Sequence, residues 1–555
     1  MNRSSSLNTS RPQRATVCVQ TRAKKLTLFL TIAALISTTA MTAPANAAKK
    51  ATKKATKKAT TKKVSTKKTP ATTTTTPPTT IDPATIDPAA TSTTLPSTLP
   101  PTTIAGGAVT PPVGPAFAPT IVWSSCGVGV ECGVLTTLLN AADPASPKVQ
   151  IGAARKLARA TANRIGVLII NPGGPSGSAV DMVTDASLDK VMPPTLRDRY
   201  DVIGIDPRGT GRSVPVLCAV APSGATALEQ SGNYADACKN RSGTVLPFVG
   251  TDNSADDIDA MRAALGEQQI SYLGFSYGTY LGGLYAQKYP DRIRSMILDG
   301  GVDPTRFGVA AREDQMKAQE RALSEFFAAC DRTTAANCPL KNSGKPAKLR
   351  FEEMLLIAEQ TGIGKEKIDR DDLEALTGTL LGLSWSVLAK ALGDLSSGGT
   401  ALTLNIFDYL NGDSSTRYED GSYEAIACRD GLLASAHPEE NVSQAERAER
   451  YRVAAPHFQN FAQFWATESM CAKWGVPARP KSALSTTAGA KIMVIGNTLD
   501  LRTPVEWSKS IASQLGAKFV SYDDYVHTAA FSQEPCITDA VSRWMTDLAN
   551  PPAEC

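Results

Sequence analysis

The chain has 555 residues, 42% hydrophobic and 20% charged, with a formal net charge of +5. The charge is unevenly placed: residues 1–68 hold 16 of the 58 Lys and Arg and no Asp or Glu, which leaves 42 basic against 53 acidic residues, a balance of −11, for the rest. A basic, polyanion-binding globular part is thereby excluded, and any attraction to polyanions belongs to the tail.

Residues 1–47 read as an export signal. A basic region from Arg3 to Lys25 precedes the apolar run 26–36, and Ala45-Asn46-Ala47 fits a signal-peptidase site. The run is short for a membrane span, which needs roughly 20 residues; an uncleaved anchor is the alternative. Residues 48–118 form a linker, first with Lys-Lys pairs in an Ala/Thr background and then Thr/Pro-rich. Such sequence has too little apolar surface to repay ordering and is expected to be disordered. It is either a solvated spacer or a tether whose Lys pairs meet anionic cell-wall polymer or the membrane surface. With export, nucleic acid is not an expected partner, and the localisation is secreted or cell envelope.

Folded sequence begins near Thr120. Segments 134–139 and 149–154 read as the first strands of a sheet, and 164–171 (RIGVLIIN) as a buried parallel strand. The turn that follows, Pro172-Gly173-Gly174-Pro175-Ser176-Gly177, lacks the features of a phosphate loop or a dinucleotide fingerprint. Segment 199–206 (RYDVIGID) is the next strand, and the charged pair Asp206 and Arg208 in the glycine-rich turn after it reads as a loop brace. A helix is expected over 252–265, with acidic residues in its first turns as the helix dipole favours.

The stretch 270–290, ISYLGFSYGTYLGGLYAQKYP, carries a strand into Ser276 between Gly274 and Gly278, and helical sequence begins at once. This G-x-S-x-G pattern is a nucleophile elbow, a tight strand-to-helix turn that exposes a serine hydroxyl. Side chains at 274 and 278 would collide with neighbouring elements. With an elbow at 276, the turn at 172–177 reads as an oxyanion loop, the N–H of Gly174 joining that of Tyr277. Residues 293–299 form another strand, whose last residue, Asp299, is an alternative catalytic acid.

From 305 to 485 the pattern changes. Segments 313–330, 349–360, 371–392 and 443–451 carry apolar residues at helical spacing, which predicts a helical cap inserted into an α/β domain. The sheet resumes at 491–495 (KIMVI), Asp500 follows, and after a short strand at 518–522 comes His527. Serine, acid, histidine is the chain order of α/β hydrolases. His437 and His457 fall in the cap, so His527 is the expected base and Asp500 its partner, with Asp523 and Asp524 as rivals. An epoxide hydrolase or dehalogenase would need Asp in place of Ser276. No cofactor is implied.

Besides Cys18 in the signal, ten cysteines remain, an even number in an oxidising compartment. Pairing of nearest neighbours in sequence order is the expectation. A structural zinc site is disfavoured by three histidines and no C-x-x-C.

The motifs NPGGPSGSA (171–179), DPRGTGRS (206–213), GFSYGTYLGGLYAQKYPDRIRSMILDGGVDP (274–304), AIACRD (425–430) and GNTLDLRTP (496–504), with His527 and Cys536, resemble secreted actinobacterial tripeptidyl and prolyl aminopeptidases. These are α/β hydrolases with a TAP-like carboxy-terminal segment, and the resemblance runs from about Trp123 to Cys555. Two departures stand out: Thr528 replaces the usual Gly after His527, and the stretch 135–142 lacks the usual Val-Pro-Leu-Asp. The resemblance implies an α/β-hydrolase fold, a mostly parallel sheet flanked by helices, with core in 119–304 and 486–555 and the cap in 305–485. It also implies an exopeptidase acting on peptide substrates through an acyl-enzyme, with a carboxylesterase or lipase as the alternative. Exopeptidases of this group read a free amine with cap carboxylates, here expected to be Asp430 and Glu424.

Overall fold

A computed structural model describes residues 117–218, 227–411, 420–466 and 468–555. The export signal and nearly all of the Lys- and Thr/Pro-rich linker lie outside the described residues. Strands β1 (Thr120–Gly127), β2 (Val130–Leu138), β3 (Lys148–Lys156), β4 (Gly166–Asn171) and β5 (Tyr200–Ile205) precede the elbow strand β6 (Ile270–Phe275). After it come β7 (Ile293–Asp299), β8 (Ile492–Asn497) and β9 (Lys518–Tyr522). They form one sheet in the order β1-β2-β3-β5-β4-β6-β7-β8-β9. The first three strands are antiparallel, and all pairings from β5 to β9 are parallel.

The apolar runs read from the sequence become β4, β6, β7 and β8. Their alternate side chains feed two cores: Val167, Ile169, Tyr272 and Val494 on one face, Leu168, Ile170, Leu273 and Ile495 on the other. Burial on both faces is why these strands lack a polar alternation. β1 was not expected as a strand. Its exposed pattern conceals it, and it is held by pairing with β2 and by the Cys126–Cys132 bridge at the hairpin tip.

Helices α1 (Ala179–Thr184), α2 (Ala227–Ser242), α3 (Thr251–Ala264) and α4 (Tyr277–Lys288) belong to the first part of the chain. Between β7 and β8 lie α5 (Val309–Arg332), α6 (Ala347–Gln360), α7 (Arg370–Leu381), α8 (Trp385–Ser396), α9 (Ala401–Asn411), α10 (Ser422–Asp430), α11 (Gln444–Ala454) and α12 (Gln459–Ala466). Their apolar faces build a core of their own, which includes Phe327, Phe351, Leu392 and Phe458 and extends to Leu501. The apolar segment 371–392 is two helices. Asp369 closes a capping box on α7, and Ser384 accepts a hydrogen bond from Val387 N to start α8. Helix α13 (Val505–Leu515) follows β8, and α14 (Pro535–Asp547) ends the chain's regular structure.

Five disulfides join Cys126–Cys132, Cys218–Cys238, Cys330–Cys338, Cys428–Cys471 and Cys536–Cys555, in nearest-neighbour order. Among the described residues there is no grouping of side chains suited to a metal ion and no helix long and apolar enough to cross a membrane. Arg208 is buried in an ion pair with Asp257 and donates to the Leu138 and Leu139 carbonyls, while Asp206 accepts from Ser178, Val180 N and Arg212 N. Both residues tie the β5 turn to neighbouring elements.

Candidate active site

The carboxyl ends of β4, β6, β7 and β8 converge on one edge of the sheet, where loops can carry reactive groups on a rigid frame. Ser276 sits between β6 and α4 with φ 55° and ψ −124°, a conformation L-residues rarely adopt. Its backbone N–H donates to the Asp299 carbonyl at 2.8 Å. The turn closes because its neighbours are bare. A Cβ on Gly274 would lie 2.3 Å from the Gly278 carbonyl oxygen, and one on Gly278 would lie 2.7 Å from Asn171 Oδ1.

The loop after β4 packs directly on this turn: a Cβ on Gly173 (φ +86°) would come within 2.3 Å of the Phe275 carbonyl oxygen and 3.0 Å of Tyr277 N. Gly174 and Tyr277, the expected oxyanion donors, line the same cleft as Ser276. Tyr277 is the first residue of α4, so its N–H has no intrahelical acceptor.

Asp500 and His527 meet at this same edge, on the loops that follow β8 and β9. His527 Nδ1 lies 2.8 Å from Asp500 Oδ2, and both side chains are buried. The other carboxylate oxygen accepts from Arg502 N (2.7 Å) and Thr503 N (3.0 Å), and Thr503 Oγ1 donates to Oδ2 at 2.7 Å. These donors hold the acid in one orientation. His527 Nε2 is buried with no hydrogen-bond partner among the described residues.

The rival acids are placed otherwise. Asp523 accepts from Thr498, and Asp524 from the N–H groups of Tyr525 and Val526. Asp299 Oδ2 accepts from Ala529 N and Ala530 N at 2.8 and 2.7 Å, so one residue ties the elbow, through its carbonyl, to the loop that carries His527. Burial pushes its carboxyl up to about 6. Neither this bridging by Asp299 nor the grip of Thr503 was read from the sequence. The Asp-x-x-Thr spacing at 500–503 was the available signal, since such side chains bond to nearby backbone.

Ser276 opens into a cleft under the helices between β7 and β8. The expected amine readers do not line it. Asp430 is buried behind Tyr277: it accepts from Thr251 N (3.0 Å), Thr251 Oγ1 (2.5 Å) and the Tyr277 hydroxyl (3.2 Å). Burial pushes its carboxyl up to about 6. Glu424 stands beside Tyr234, with burial foremost and then the charge of Asp420 pushing its carboxyl up to about 7. The reason is helical geometry. Tyr423, adjacent to Glu424 on α10, takes the face toward the cleft, which turns Glu424 away, while Asp430 shares the Tyr423 face but lies two turns further along, where Thr251 and Tyr277 cover it. The carboxylate on the cleft wall is Glu468, which accepts from Ser435 N, Ser435 Oγ and Met470 N.

A parallel sheet with this elbow, cap and chain order defines an α/β hydrolase. Residues 166–338 match the family model of the alpha/beta hydrolase fold, and 456–555 that of the TAP-like protein. Serine protease Hip1 of Mycobacterium tuberculosis is 30% identical over 431 residues, 71% of this chain and 81% of the relative. Carboxylesterase B of the same species is 31% identical over 490 residues, 80% of this chain and 91% of the relative. Tripeptidyl aminopeptidase of Streptomyces coelicolor is 28% identical, covering 77% of this chain and 83% of its own length. The chain belongs to the alpha/beta hydrolases with a TAP-like carboxy-terminal segment, and it is a hydrolase.

Proposed function

We propose that the chain is an exported serine peptidase that releases residues or short peptides from peptide amino termini through an acyl-enzyme. The observation that carries the reading is the 2.8 Å Asp500–His527 contact, with Nε2 left open, bridged by Asp299 to the Ser276 elbow. In this mechanism His527 Nε2 takes the hydroxyl proton as Ser276 attacks the carbonyl, and Asp500 orients the imidazole and offsets its charge. The N–H groups of Tyr277 and Gly174 receive the oxyanion. Loss of one such donor typically costs roughly 3 kcal/mol of transition-state stabilisation. His527 then protonates the leaving amine, and water releases the acyl group.

The relatives named serine protease and tripeptidyl aminopeptidase favour peptides, and the free amine of a substrate would meet Glu468. A carboxylesterase is the second reading, favoured by the relative of that name. Export is supported by the signal-like sequence of 1–47 and by five disulfides, which persist in oxidising compartments. The Lys-rich segment would hold the enzyme at the cell envelope. The deciding experiment incubates the enzyme and Ser276→Ala with a peptide library and an ester panel. Ser276-dependent cuts near amino termini support the proposal; cleavage of esters alone replaces it with the second reading.

A further inference from the structure

Among the described residues the wall of the cleft carries two guanidinium groups and one carboxylate, and one of the two cations forms no ion pair. Arg312, on the first turn of α5, and Arg502, two residues past Asp500, both line the cavity into which Ser276 opens. The guanidinium of Arg312 stacks on the Trp465 ring, 3.3 Å from its centroid, and forms no ion pair among the described residues. Its neighbours differ: Arg306 pairs with Asp314, and Glu313 with both Lys317 and Arg450. Carboxylates were therefore at hand along α5, and Arg312 is turned away from them into the cleft.

The opposing charges are few. Among the described residues Glu468 is the carboxylate on the wall; it acts on Arg312 without forming an ion pair and also accepts three hydrogen bonds from Ser435 and Met470. Asp500 lies near Arg502, and its carboxylate is committed to His527, Thr503 and backbone N–H groups. The other titratable groups that act on Arg312 are the hydroxyls of Tyr423 and Tyr451. Burial lowers the pKa of both arginines, and the charge of Arg312 further lowers that of Arg502, held at about 10. Two buried guanidinium groups on one cleft wall disfavour one another and favour an incoming anion. The planar donor fork of arginine suits a carboxylate, and stacking on Trp465 fixes the plane of one fork in advance.

We infer that the cleft selects substrates bearing a carboxylate, received by Arg312 and Arg502 while Ser276 faces the scissile carbonyl. The inference rests on the catalytic reading of Ser276 and adds the substrate class to it. The carboxylate has two sources in a peptide, an acidic side chain or the free carboxy terminus.

The test compares umbelliferyl hemisuberate, whose acyl chain ends in a carboxylate, with its uncharged methyl ester. Companion peptides pair Glu with Gln next to the cut, and a free terminus with an amide, to separate the two sources. The wild-type enzyme should prefer the hemisuberate by about tenfold or more in kcat/KM. In Arg312→Met and Arg502→Gln that ratio should fall at least tenfold, and Arg312→Lys should restore part of it. Melting temperatures identify any variant that is merely misfolded, and the ratio within one enzyme is independent of the active fraction. A wild-type ratio near one, or a ratio that survives both substitutions, overturns the inference. Ser276→Ala is run alongside: if it still turns over both esters, the catalytic reading has failed, whatever the ratio.

Discussion

Trp385 and Tyr525 stack face to face, with ring centroids 4.5 Å apart and planes 14° from parallel. The first is the opening residue of α8; the second lies two residues before His527. Trp385 is fixed in turn by a hydrogen bond from its Nε1 to the Leu381 carbonyl and by an edge contact with Phe326 of α5. The helical insertion therefore holds the histidine loop from outside the sheet, while Asp299 holds it from within.

Removing this stack should loosen the loop. Aromatic pairs contribute about 0.5–1.5 kcal/mol beyond their buried area. Trp385→Ala should lower kcat/KM about three- to tenfold on every substrate, and Trp385→Phe should recover most of it. Unchanged kinetics in Trp385→Ala would show that the loop is positioned without the insertion.

Asp500→Asn should be far more damaging. The amide can present its N–H to His527 Nδ1 and so favour the wrong tautomer, with Nε2 protonated and unable to act as base. In the Ser-His-Asp template that change costs on the order of 10⁴ in kcat. The loss should appear in kcat for peptides and esters alike. Covalent labelling by a fluorophosphonate should slow in parallel, and a variant that labels at the wild-type rate would remove Asp500 from the mechanism.

Asp430 offers a sharper distinction. An amine reader would, when replaced by Ala, raise KM for unblocked peptides while sparing amine-blocked esters. Its observed contacts point instead to Thr251 and Tyr277, the residue whose N–H is the expected oxyanion donor. Asp430→Ala should thus lower kcat on blocked and unblocked substrates equally, and destabilise the fold by roughly 1–3 kcal/mol for the buried donors left unpaired. A selective KM effect would return Asp430 to the amine.

The sequence revealed most where local chemistry is strict. The elbow is legible because Gly274 and Gly278 sit where any Cβ would strike backbone or Asn171. The continuous apolar runs are legible because those strands are buried on both faces. His527 stands out because histidine is scarce in this chain. What stayed hidden depends on how distant segments meet. Asp430 shares the helix face of Tyr423, so whether it meets a cleft or Tyr277 is set by what packs two turns along α10, and one residue of offset exchanges Tyr423 for Glu424 at the wall. The pairing of Arg312 with Arg502 joins residues 190 positions apart, which periodicity cannot anticipate. Strand β1 is too exposed to show an apolar pattern.

The bridging role of Asp299 makes a prediction about pH. Its carboxyl is fully buried, and burial, the largest cause, raises it from 3.8 to about 6, against the lowering effect of the Ala529 and Ala530 N–H groups. Between those two values the folded state holds a proton that the unfolded chain has released. Its contribution to stability is therefore greatest below about pH 4, falls as pH rises to about 6 and is flat beyond. A displacement of two pKa units corresponds to roughly 3 kcal/mol. Asp430 is displaced in the same direction, so the wild type alone would not isolate the effect. The difference in unfolding free energy between wild type and Asp299→Asn does so, because the Asp430 contribution is common to both. Followed by denaturant titration from pH 4.5 to 7, that difference should shift against the wild type by 1–3 kcal/mol and level off near pH 6.5. A difference independent of pH would mean that Asp299 keeps its ordinary acidity and that its two N–H donors outweigh the cost of burial.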